Sequence, residues 1–280
     1  MKKIKVKVPA KINLTLDVLG QKDGYHEIES LVASIDIFDT VTIRPRKENV
    51  ITLNFKGVPT GVSGTKSNAY RAAETFKKEF GTFGADIVIE RDIPVAAGLG
   101  GSSADIAGVL NGLGRFFDVK RDLNFIADNL GSDVSYMLKG GFAVMKGRGE
   151  KVEFIKGIKR TFYILIVLGS KGVSTGDSYN GFDKLGKAYT HNTPIAVKFL
   201  RDDDAENLFT TLKNDLYESS AKILPEITET VERLSEHGKA LMTGSGSAVY
   251  GIYKTKKERD SAYKYLRIFY GDRLIKAQTV

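Results

Sequence analysis

The chain opens with apolar residues at every second position. In the segment IKVKVPAKINLTLDV (4–18) this alternation is interrupted around the Pro-Ala pair and then resumes. A period of two predicts β-strands with one buried face. If Ile12 and Leu14 face the core, Lys11 and Asn13 share the opposite face, because successive side chains of a strand point to opposite sides.

Further segments of the first half also have clear patterns. Strands are predicted at VASIDIFDTVTIRP (32–45), VITLNF (50–55) and ADIVIERDIP (85–94), with a turn at GQKDGYHE (20–27). The segment SNAYRAAETFKKEF (67–80) predicts a helix that Ser67 caps and Gly81 ends.

The segment GLGGSSAD (98–105) combines glycine and serine directly after a predicted strand. Ile106, Leu110 and Leu113 follow at helical spacing, so the glycines lie at a helix N-terminus. A flexible linker is the alternative, but a linker is not normally followed at once by an amphipathic helix. The first N–H groups of a helix bind anions, and glycine lets a phosphate approach the backbone without meeting a Cβ. The segment therefore predicts a phosphate site, although it is neither a Gly-Lys-Ser/Thr P-loop nor a G-x-G-x-x-G motif.

The second half of the chain alternates strands and helices. The apolar run RTFYILIVLGS (160–170) predicts a central strand, and ALMTGSGSAVYGIY (240–253) predicts two strands joined by a glycine loop. Helices are predicted at AENLFTTLKNDLYESSAKIL (205–224), PEITETVERLSEHG (225–238) and KKERDSAYKYLRIFYG (256–271). In the last helix, the inward residues are expected to be Ala262, Tyr265, Leu266 and Phe269. A domain boundary is predicted between residues 155 and 156, giving domains of residues 1–155 and 156–280.

Composition narrows the classes of function. The 280 residues include no cysteine, which excludes disulfides, thiolate metal ligands and a cysteine nucleophile. The formal net charge of +8 favours anionic partners, whether nucleic acid, a membrane surface or small phosphorylated molecules. No export signal or membrane span is expected, so the predicted location is the cytoplasm.

Three segments resemble the motifs of the GHMP small-molecule kinases. PVAAGLGGSSA (94–104) resembles their phosphate loop, VPAKINLTL (8–16) their N-terminal motif, and LMTGSGSAVYGIY (241–253) their third glycine loop. The resemblance implies an α+β, two-domain GHMP kinase fold, with an N-terminal ribosomal-protein-like β-α unit and a C-terminal α/β sandwich containing an antiparallel sheet. It also implies that ATP donates a phosphoryl group to a small alcohol, with Mg²⁺ as cofactor.

Other segments resemble a branch of this family whose substrate contains cytidine diphosphate. They are DGYHEIES (23–30), LGSDVSY (130–136), GRGEKV (147–152) and GVSTGDSY (172–179). The resemblance implies phosphorylation of a 2-hydroxyl on that substrate, in the synthesis of isoprenoid precursors. The expected partners are therefore ATP and a cytidine diphosphate substrate, with no nucleic acid and no membrane, and the expected state is a monomer or weak homodimer.

The resemblance assigns catalysis to Lys11 and Asp133. Asp133 would be the general base that accepts the proton of the attacking hydroxyl, although an N-cap is an equally good interpretation of the residue alone. Lys11 would keep that carboxylate ionised and neutralise charge on the transferred group, where a solvated strand lysine is the alternative. Asn13 would hydrogen-bond the substrate.

The resemblance also assigns a pocket for the cytosine base. Tyr25 would stack on the base and His26 would hydrogen-bond its edge, while Thr175 and Tyr179 would form the opposite wall, so that the ring lies between Tyr25 and Tyr179. The alternative is a surface histidine and a structural tyrosine. The residues that would close the site are Gly244, Ser245 and Gly246, which also fit a tight hairpin with glycine at positive φ.

The phosphate loop departs from the family pattern G-L-G-G-G-S-S-D-A-A. Either Ser102 replaces the third glycine, or one glycine is deleted and both serines are kept. Ser103 is the expected contact to the metal. The residues that would bind ATP are Pro94, Val95, Ala96, Ala97, Gly98, Leu99, Gly100, Gly101, Ser102, Ser103 and Ala104, and the segment 67–73 would flank the adenine.

Two other classes of function remain open. A GHMP kinase for another alcohol, such as homoserine or mevalonate, would not need the Tyr-His pair of a cytosine pocket. A nucleic-acid-binding protein would fit the basic charge and the segment from Tyr253 to Lys276. The helical spacing of the aromatic residues in that segment instead favours a core position.

Overall fold

The computed structural model describes residues 3–46, 48–57 and 64–280. The chain divides into two compact units. The first contains residues 1–10, 37–95 and 100–140, and the second contains residues 11–36, 96–99 and 141–280. Each unit is therefore assembled from separate stretches of sequence.

The elements are numbered in chain order. The strands are β1 (Ile4–Asn13), β2 (Thr15–Lys22), β3 (Tyr25–Pro45), β4 (Ile51–Gly57), β5 (Ala85–Arg91), β6 (Phe142–Gly147), β7 (Lys151–Ile155), β8 (Tyr163–Val167), β9 (Lys213–Asn214), β10 (Lys239–Met242), β11 (Val249–Tyr253) and β12 (Leu274–Gln278). The helices are α1 (Asn68–Phe80), α2 (Gly101–Phe116), α3 (Asn124–Ala127), α4 (Val134–Met137), α5 (Thr175–Leu185), α6 (Thr193–Arg201), α7 (Ala205–Thr211), α8 (Tyr217–Ile223), α9 (Glu226–Ser235) and α10 (Lys256–Tyr270).

The first unit packs helices against paired strands. The C-terminal part of β3 pairs antiparallel with β5, with Val41 opposite Ile89, and β4 pairs parallel with β5. Helix α1 packs against α2. Ser67 caps α1 by accepting a hydrogen bond from the N–H of Tyr70, and Gly81 ends it in the left-handed conformation, as predicted. The apolar stripe of α2 is buried, which confirms the helix predicted after the glycine segment.

The second unit begins with a hairpin of β2 and the N-terminal part of β3. Lys22 pairs with Tyr25, so Asp23 and Gly24 form a two-residue turn with φ of 52° and 77°. Two positive φ angles are typical of the Asp-Gly turns that match the twist of a hairpin. The turn predicted at 20–27 is thus confirmed and is tighter than that range. The same part of β3 also pairs with β6, and β6 pairs with β7.

The second unit also contains a four-stranded antiparallel sheet. Its order is β10-β11-β8-β12, so β8 lies between two strands, as its continuous apolar sequence predicts. The core beside this sheet includes Leu165, Val167, Ile227, Leu234 and Leu266, which lie on β8, α9 and α10.

Two predictions for the second half are wrong. The single helix predicted at 205–224 is two helices, α7 and α8, separated by β9, which pairs parallel with β2. The break has a tertiary cause, because the Asn214 side chain donates hydrogen bonds to the carbonyls of Met242 and Gly244 at 2.9 and 2.8 Å. In α10, Ala262 and Leu266 are buried, but Tyr265 and Phe269 are 44% and 46% exposed.

Candidate active site

The glycine segment forms a bend that ends at the start of α2. Gly100 is the N-cap residue with φ of +80°, a conformation that only glycine adopts at little cost. The helix begins at Gly101, so Ser102 and Ser103 both lie in its first turn, Ser102 exposed and Ser103 half-buried. The backbone thus presents the unpaired N–H groups that bind anions at helix N-termini.

A buried charged cluster supports the base of this loop within the first unit. Asp39 accepts hydrogen bonds from the backbone N–H groups of Asp92 and Ile93, both at 2.8 Å, directly after β5. Asp105, in α2, forms an ion pair with Arg91. Burial raises the pKa of the Asp105 carboxyl to about 7, and burial also raises the pKa of Asp39. Sequence reasoning missed this cluster, since its residues are far apart in the chain.

Two of the predicted glycine loops meet within the second unit. Gly98 has φ of +76°, and a Cβ placed on it would lie 2.2 Å from the carbonyl oxygen of Thr243. Ala248 donates from its backbone N–H to the carbonyl of Ala97 at 3.3 Å, and Lys11 donates similarly to Leu99 at 3.0 Å. The segment 96–99 therefore lies directly on the loop between β10 and β11.

Asn13 joins these pieces through its side-chain amide. Its Oδ1 accepts from the Lys11 ammonium at 2.7 Å, from the Gly244 N–H at 3.0 Å and from the Thr243 hydroxyl at 3.3 Å. Its Nδ2 donates to the Ser30 hydroxyl at 2.8 Å. Lys11 and Asn13 are both buried, which contradicts the interpretation of Lys11 as a solvated strand lysine. The amide fixes the lysine and the third glycine loop at one point.

Asp133 lies in the first unit, immediately before α4. It occupies the N-cap position, but its backbone is helical (φ −90°, ψ −4°) and its side chain makes no capping hydrogen bond to the described residues of that helix. The structure therefore places Asp133 at the N-cap position but without the side-chain hydrogen bond that a capping role requires. A Cβ on the nearby Gly131 would lie 3.8 Å from Ser103 Oγ, so the turn before Asp133 adjoins the first turn of α2. The predicted base and the predicted phosphate helix are neighbours in this unit.

The predicted cytosine residues lie on the β2–β3 hairpin and on α5. The His26 ring stacks on the Tyr179 ring, with centroids 4.5 Å apart and planes 24° apart. His26 Nε2 is 2.8 Å from Asp183 Oδ1, and Gln21 Nε2 donates to Asp183 Oδ2 at 2.9 Å. Neither Gln21 nor Asp183 was predicted from the sequence. Their positions could have indicated them. Asp183 is one helical turn after Tyr179, and Gln21 is the cross-strand partner of His26.

Tyr25 follows the turn and is 57% exposed. The guanidinium of Arg148, also not predicted, lies 4.9 Å from the centre of its ring. Successive residues of a strand point to opposite sides, which is why Tyr25 contacts Arg148 while His26 contacts Tyr179. A cavity of about 350 Å³ adjoins the hairpin. Its lining residues are Lys22, Asp23, Tyr25, His26, Glu27, Gly147, Arg148, Glu150 and Lys151.

The remaining predicted wall residues lie together. Thr175 Oγ1 and Ser245 Oγ are 3.2 Å apart, which brings the start of α5 to the third glycine loop. Gly244 and Gly246 have φ of +57° and +87° in the connection between β10 and β11. The hairpin with glycines at positive φ is thus confirmed, but its connection spans the six residues 243–248 and is not a tight turn. It is compatible with a ligand role for the same loop.

Two features are absent from the described residues. In residues 3–46, 48–57 and 64–280, no group of three or more His, Asp or Glu side chains is arranged to hold a metal ion. Over the same ranges, no helix is long and apolar enough to cross a membrane.

Comparison with known proteins identifies the class. The family model for the GHMP kinase N-terminal domain matches residues 67–144, and the model for the GHMP kinase C-terminal domain matches residues 196–272. The chain belongs to the GHMP kinases, with their two-domain fold, and is an ATP-dependent small-molecule kinase.

Individual relatives narrow the comparison within the family. The chain is 35% identical over 279 residues to 4-diphosphocytidyl-2-C-methyl-D-erythritol kinase of Alkaliphilus metalliredigens, covering 96% of this chain and 94% of the relative. It is 39% identical over 264 residues to the enzyme of that name from Desulfitobacterium hafniense, covering 90% and 87%. A crystal structure of 4-(cytidine 5′-diphospho)-2C-methyl-D-erythritol kinase matches with a TM-score of 0.81 and 28% identity, covering 98% of each chain.

Proposed function

We propose that this kinase transfers the γ-phosphoryl group of ATP to the 2-hydroxyl of 4-diphosphocytidyl-2-C-methyl-D-erythritol, a step in non-mevalonate isoprenoid precursor synthesis. The observation that carries the proposal is the near full-length likeness to kinases of that name. The hairpin that carries Tyr25 and His26 supports it, because stacking combined with hydrogen bonds to the base edge is how proteins hold an unpaired base.

In the proposed reaction, Asp133 accepts the proton of the substrate hydroxyl as that oxygen attacks the γ-phosphorus of ATP. The bond from the γ-phosphorus to the bridging oxygen breaks, and ADP leaves. The role suits a carboxylate that does not cap its own helix. Lys11 neutralises charge on the transferred group, and Asn13 holds the ammonium in one position.

The phosphates of ATP are proposed to bind the segment 94–104. The first turn of α2 supplies N–H groups, and Gly98 and Gly100 keep the backbone accessible at positive φ. Ser103 is the proposed protein contact to Mg²⁺. Mg²⁺ keeps several waters and is bound largely by substrate phosphates, so one hydroxyl in the first turn of α2 is a sufficient protein contact. When bound, it would neutralise phosphate charge.

The cytosine is proposed to bind beside His26, with Tyr25 and Tyr179 as the two walls of its pocket, which requires the Tyr25 ring to leave its contact with Arg148 and turn towards the His26 side of the strand. A base that hydrogen-bonds the imidazole in its own plane also lies nearly parallel to the Tyr179 ring, because the two rings are 24° apart. Thr175 and the loop Gly244–Ser245–Gly246 would close the site. We also propose domains of residues 1–155 and 156–280, a cytoplasmic location, a monomer or weak homodimer, and no nucleic-acid partner.

The test is a coupled assay of ADP release with three alcohols. Activity with the cytidine diphosphate substrate, and a far lower rate with homoserine or mevalonate, is the expected result. Asp133→Asn should lower kcat by about a hundredfold or more while both ligands still bind.

The matched control is Asp118→Asn, which alters an exposed carboxylate in the same unit and should leave kcat unchanged. Phosphorylation of mevalonate or homoserine in preference would refute the proposed substrate. A kcat for Asp133→Asn close to that of the control would refute the proposed base.

A further inference from the structure

Two polar side chains, those of Gln21 and Asp183, reach one atom, Nε2 of His26. Gln21 and His26 are directly opposite each other in the β2–β3 hairpin. Helix α5 supplies Tyr179 and Asp183, which lie on the same face because they are four residues apart. His26 is therefore held by a ring beneath it and by two hydrogen-bonding groups at one edge.

The chemistry of the Asp183 carboxylate indicates which nitrogen of this ring carries the proton. His26 Nε2 is 2.8 Å from Asp183 Oδ1, and an ionised carboxylate can only accept, so Nε2 carries the hydrogen and donates it. Gln21 Nε2 donates to the other oxygen, Oδ2, at 2.9 Å. In a neutral imidazole with hydrogen on Nε2, the other nitrogen, Nδ1, is an acceptor.

We propose that Asp183 is a positioning residue that determines base specificity, by holding His26 in the tautomer whose Nδ1 accepts a hydrogen bond from the 4-amino group of cytosine. The inference rests on the proposed function, in which His26 meets the base edge. Uracil carries a carbonyl oxygen in place of the amino group, so two acceptors would face each other. The carboxylate therefore selects cytidine without touching the base.

Because Gln21 is close to His26, removing Asp183 would change the tautomer of the imidazole and not only its mobility. Its Nε2 lies 3.0 Å from His26 Nε2 and is a donor. Without the carboxylate, this N–H can donate to the bare Nε2 of the other tautomer, which places the hydrogen on Nδ1. That ring would present a donor to the base, and it would pair with the carbonyl of uracil rather than with the amino group of cytosine.

The test compares the affinities for CDP and UDP by calorimetric titration. The variants are Asp183→Ala, the double variant Asp183→Ala with Gln21→Ala, and Asp202→Ala as a control. Asp202 is an exposed carboxylate at the end of α6, so its removal makes the same change in net charge. Thermal unfolding establishes that each variant is folded.

We expect wild type and the control to favour CDP, and Asp183→Ala to lower the CDP/UDP ratio by about tenfold or more. The double variant should recover part of the ratio, because the competing donor is gone. A residue that merely stabilised the fold would lower both affinities together and leave the ratio unchanged.

The tautomer itself is read from ¹⁵N chemical shifts of labelled histidine at about pH 8.5, where an ordinary imidazole is neutral. The three histidines are distinguished by the signal lost in His26→Asn. Protonation at Nε2 in wild type, and at Nδ1 in Asp183→Ala, is expected. Protonation at Nδ1 in wild type would overturn the inference.

Two outcomes separate this inference from the proposed function. If wild type favours CDP and Asp183→Ala favours it equally, Asp183 has no role in specificity and the proposed substrate is unaffected. If wild type binds CDP and UDP equally, the base is not read at this edge, and both the specificity role of Asp183 and the proposed cytosine pocket are wrong.

Discussion

Replacing Gly98 by alanine should destabilise the protein through two separable effects. The first is backbone strain, because φ of +76° costs a residue with a Cβ about 1–2 kcal/mol. The second is a collision, since the new Cβ would lie 2.2 Å from the carbonyl oxygen of Thr243. To reach even a close contact, one of the two segments must move by about 1 Å.

The obstructing carbonyl cannot move easily. Thr243 O accepts from the N–H of Gly246 at 3.0 Å, and Thr243 N donates to Ala248 O at 3.1 Å. Its hydroxyl accepts from the N–H of Asn13 at 3.1 Å. Overpacking against such a fixed neighbour costs about 1–3 kcal/mol, which brings the expected loss for Gly98→Ala to about 2–5 kcal/mol.

Urea unfolding of Gly98→Ala beside Gly81→Ala isolates the collision. Gly81 is also left-handed, with φ of +61°, but a Cβ there would meet no described atom within 4 Å. The control should therefore lose only the strain, about 1–2 kcal/mol. At about 2 °C for each kcal/mol in a chain of this size, the melting temperatures should fall by about 4–10 °C and about 2–4 °C respectively. Equal losses in the two variants would refute the collision and, with it, the fixed contact between segment 96–99 and the third glycine loop.

Three further predictions follow from the site. Gly100→Val should abolish ATP binding in a folded protein, because a branched side chain would occupy the phosphate approach at φ of +80°; unimpaired titration with ATP would refute this. Tyr25→Ala should raise KM for the cytidine substrate by the equivalent of about 1–3 kcal/mol and leave KM for ATP unchanged, with Tyr265→Ala as an exposed tyrosine control. Since burial raises the pKa of Asp105 to about 7, this carboxyl keeps its proton in the folded protein up to a pH at which the unfolded chain has already released it, at about pH 4. The free energy of unfolding should therefore fall as pH rises from about 4 to about 7, and Asp105→Asn should flatten that fall; an unchanged slope would contradict it.

Local patterns predicted those parts of the fold that depend on neighbouring residues. The apolar run of β8, the cap of α1 and the Asp-Gly turn were all predictable, because each is decided within a few positions. The segment 205–224 was not, since its helical propensity is overridden at Asn214 by carbonyls of residues 242 and 244. The exposure of Tyr265 was missed for a related reason. A helical stripe does not reveal how wide a face its neighbours cover.

In the candidate site, too, the sequence motifs were predictable and the long-range contacts between them were not. The motifs around Lys11, Gly98 and Gly244 could be found in the sequence, but their contacts at Asn13 and Thr243 join residues about 230 positions apart. Asp39 and Asp183 carry no motif of their own. They act through a backbone segment or a ring that arrives from another element, and only tertiary structure brings these together.

The hydrogen bonds that Asn13 already makes also limit whether a ligand atom beside it can be a hydrogen-bond donor or an acceptor. A carbonyl-type oxygen has two lone pairs, and three protein donors already reach Oδ1. An incoming hydroxyl hydrogen would compete with the ammonium of Lys11 and the N–H of Gly244 for the same electrons. If Asn13 contacts the substrate as proposed, its amide can offer an N–H but not an acceptor, so the substrate atom beside it would be a lone-pair oxygen or nitrogen. With aspartate at this position, the ligand would instead have to supply a hydrogen-bond donor. Inhibitors of this protein should therefore place acceptors, not donors, against Asn13.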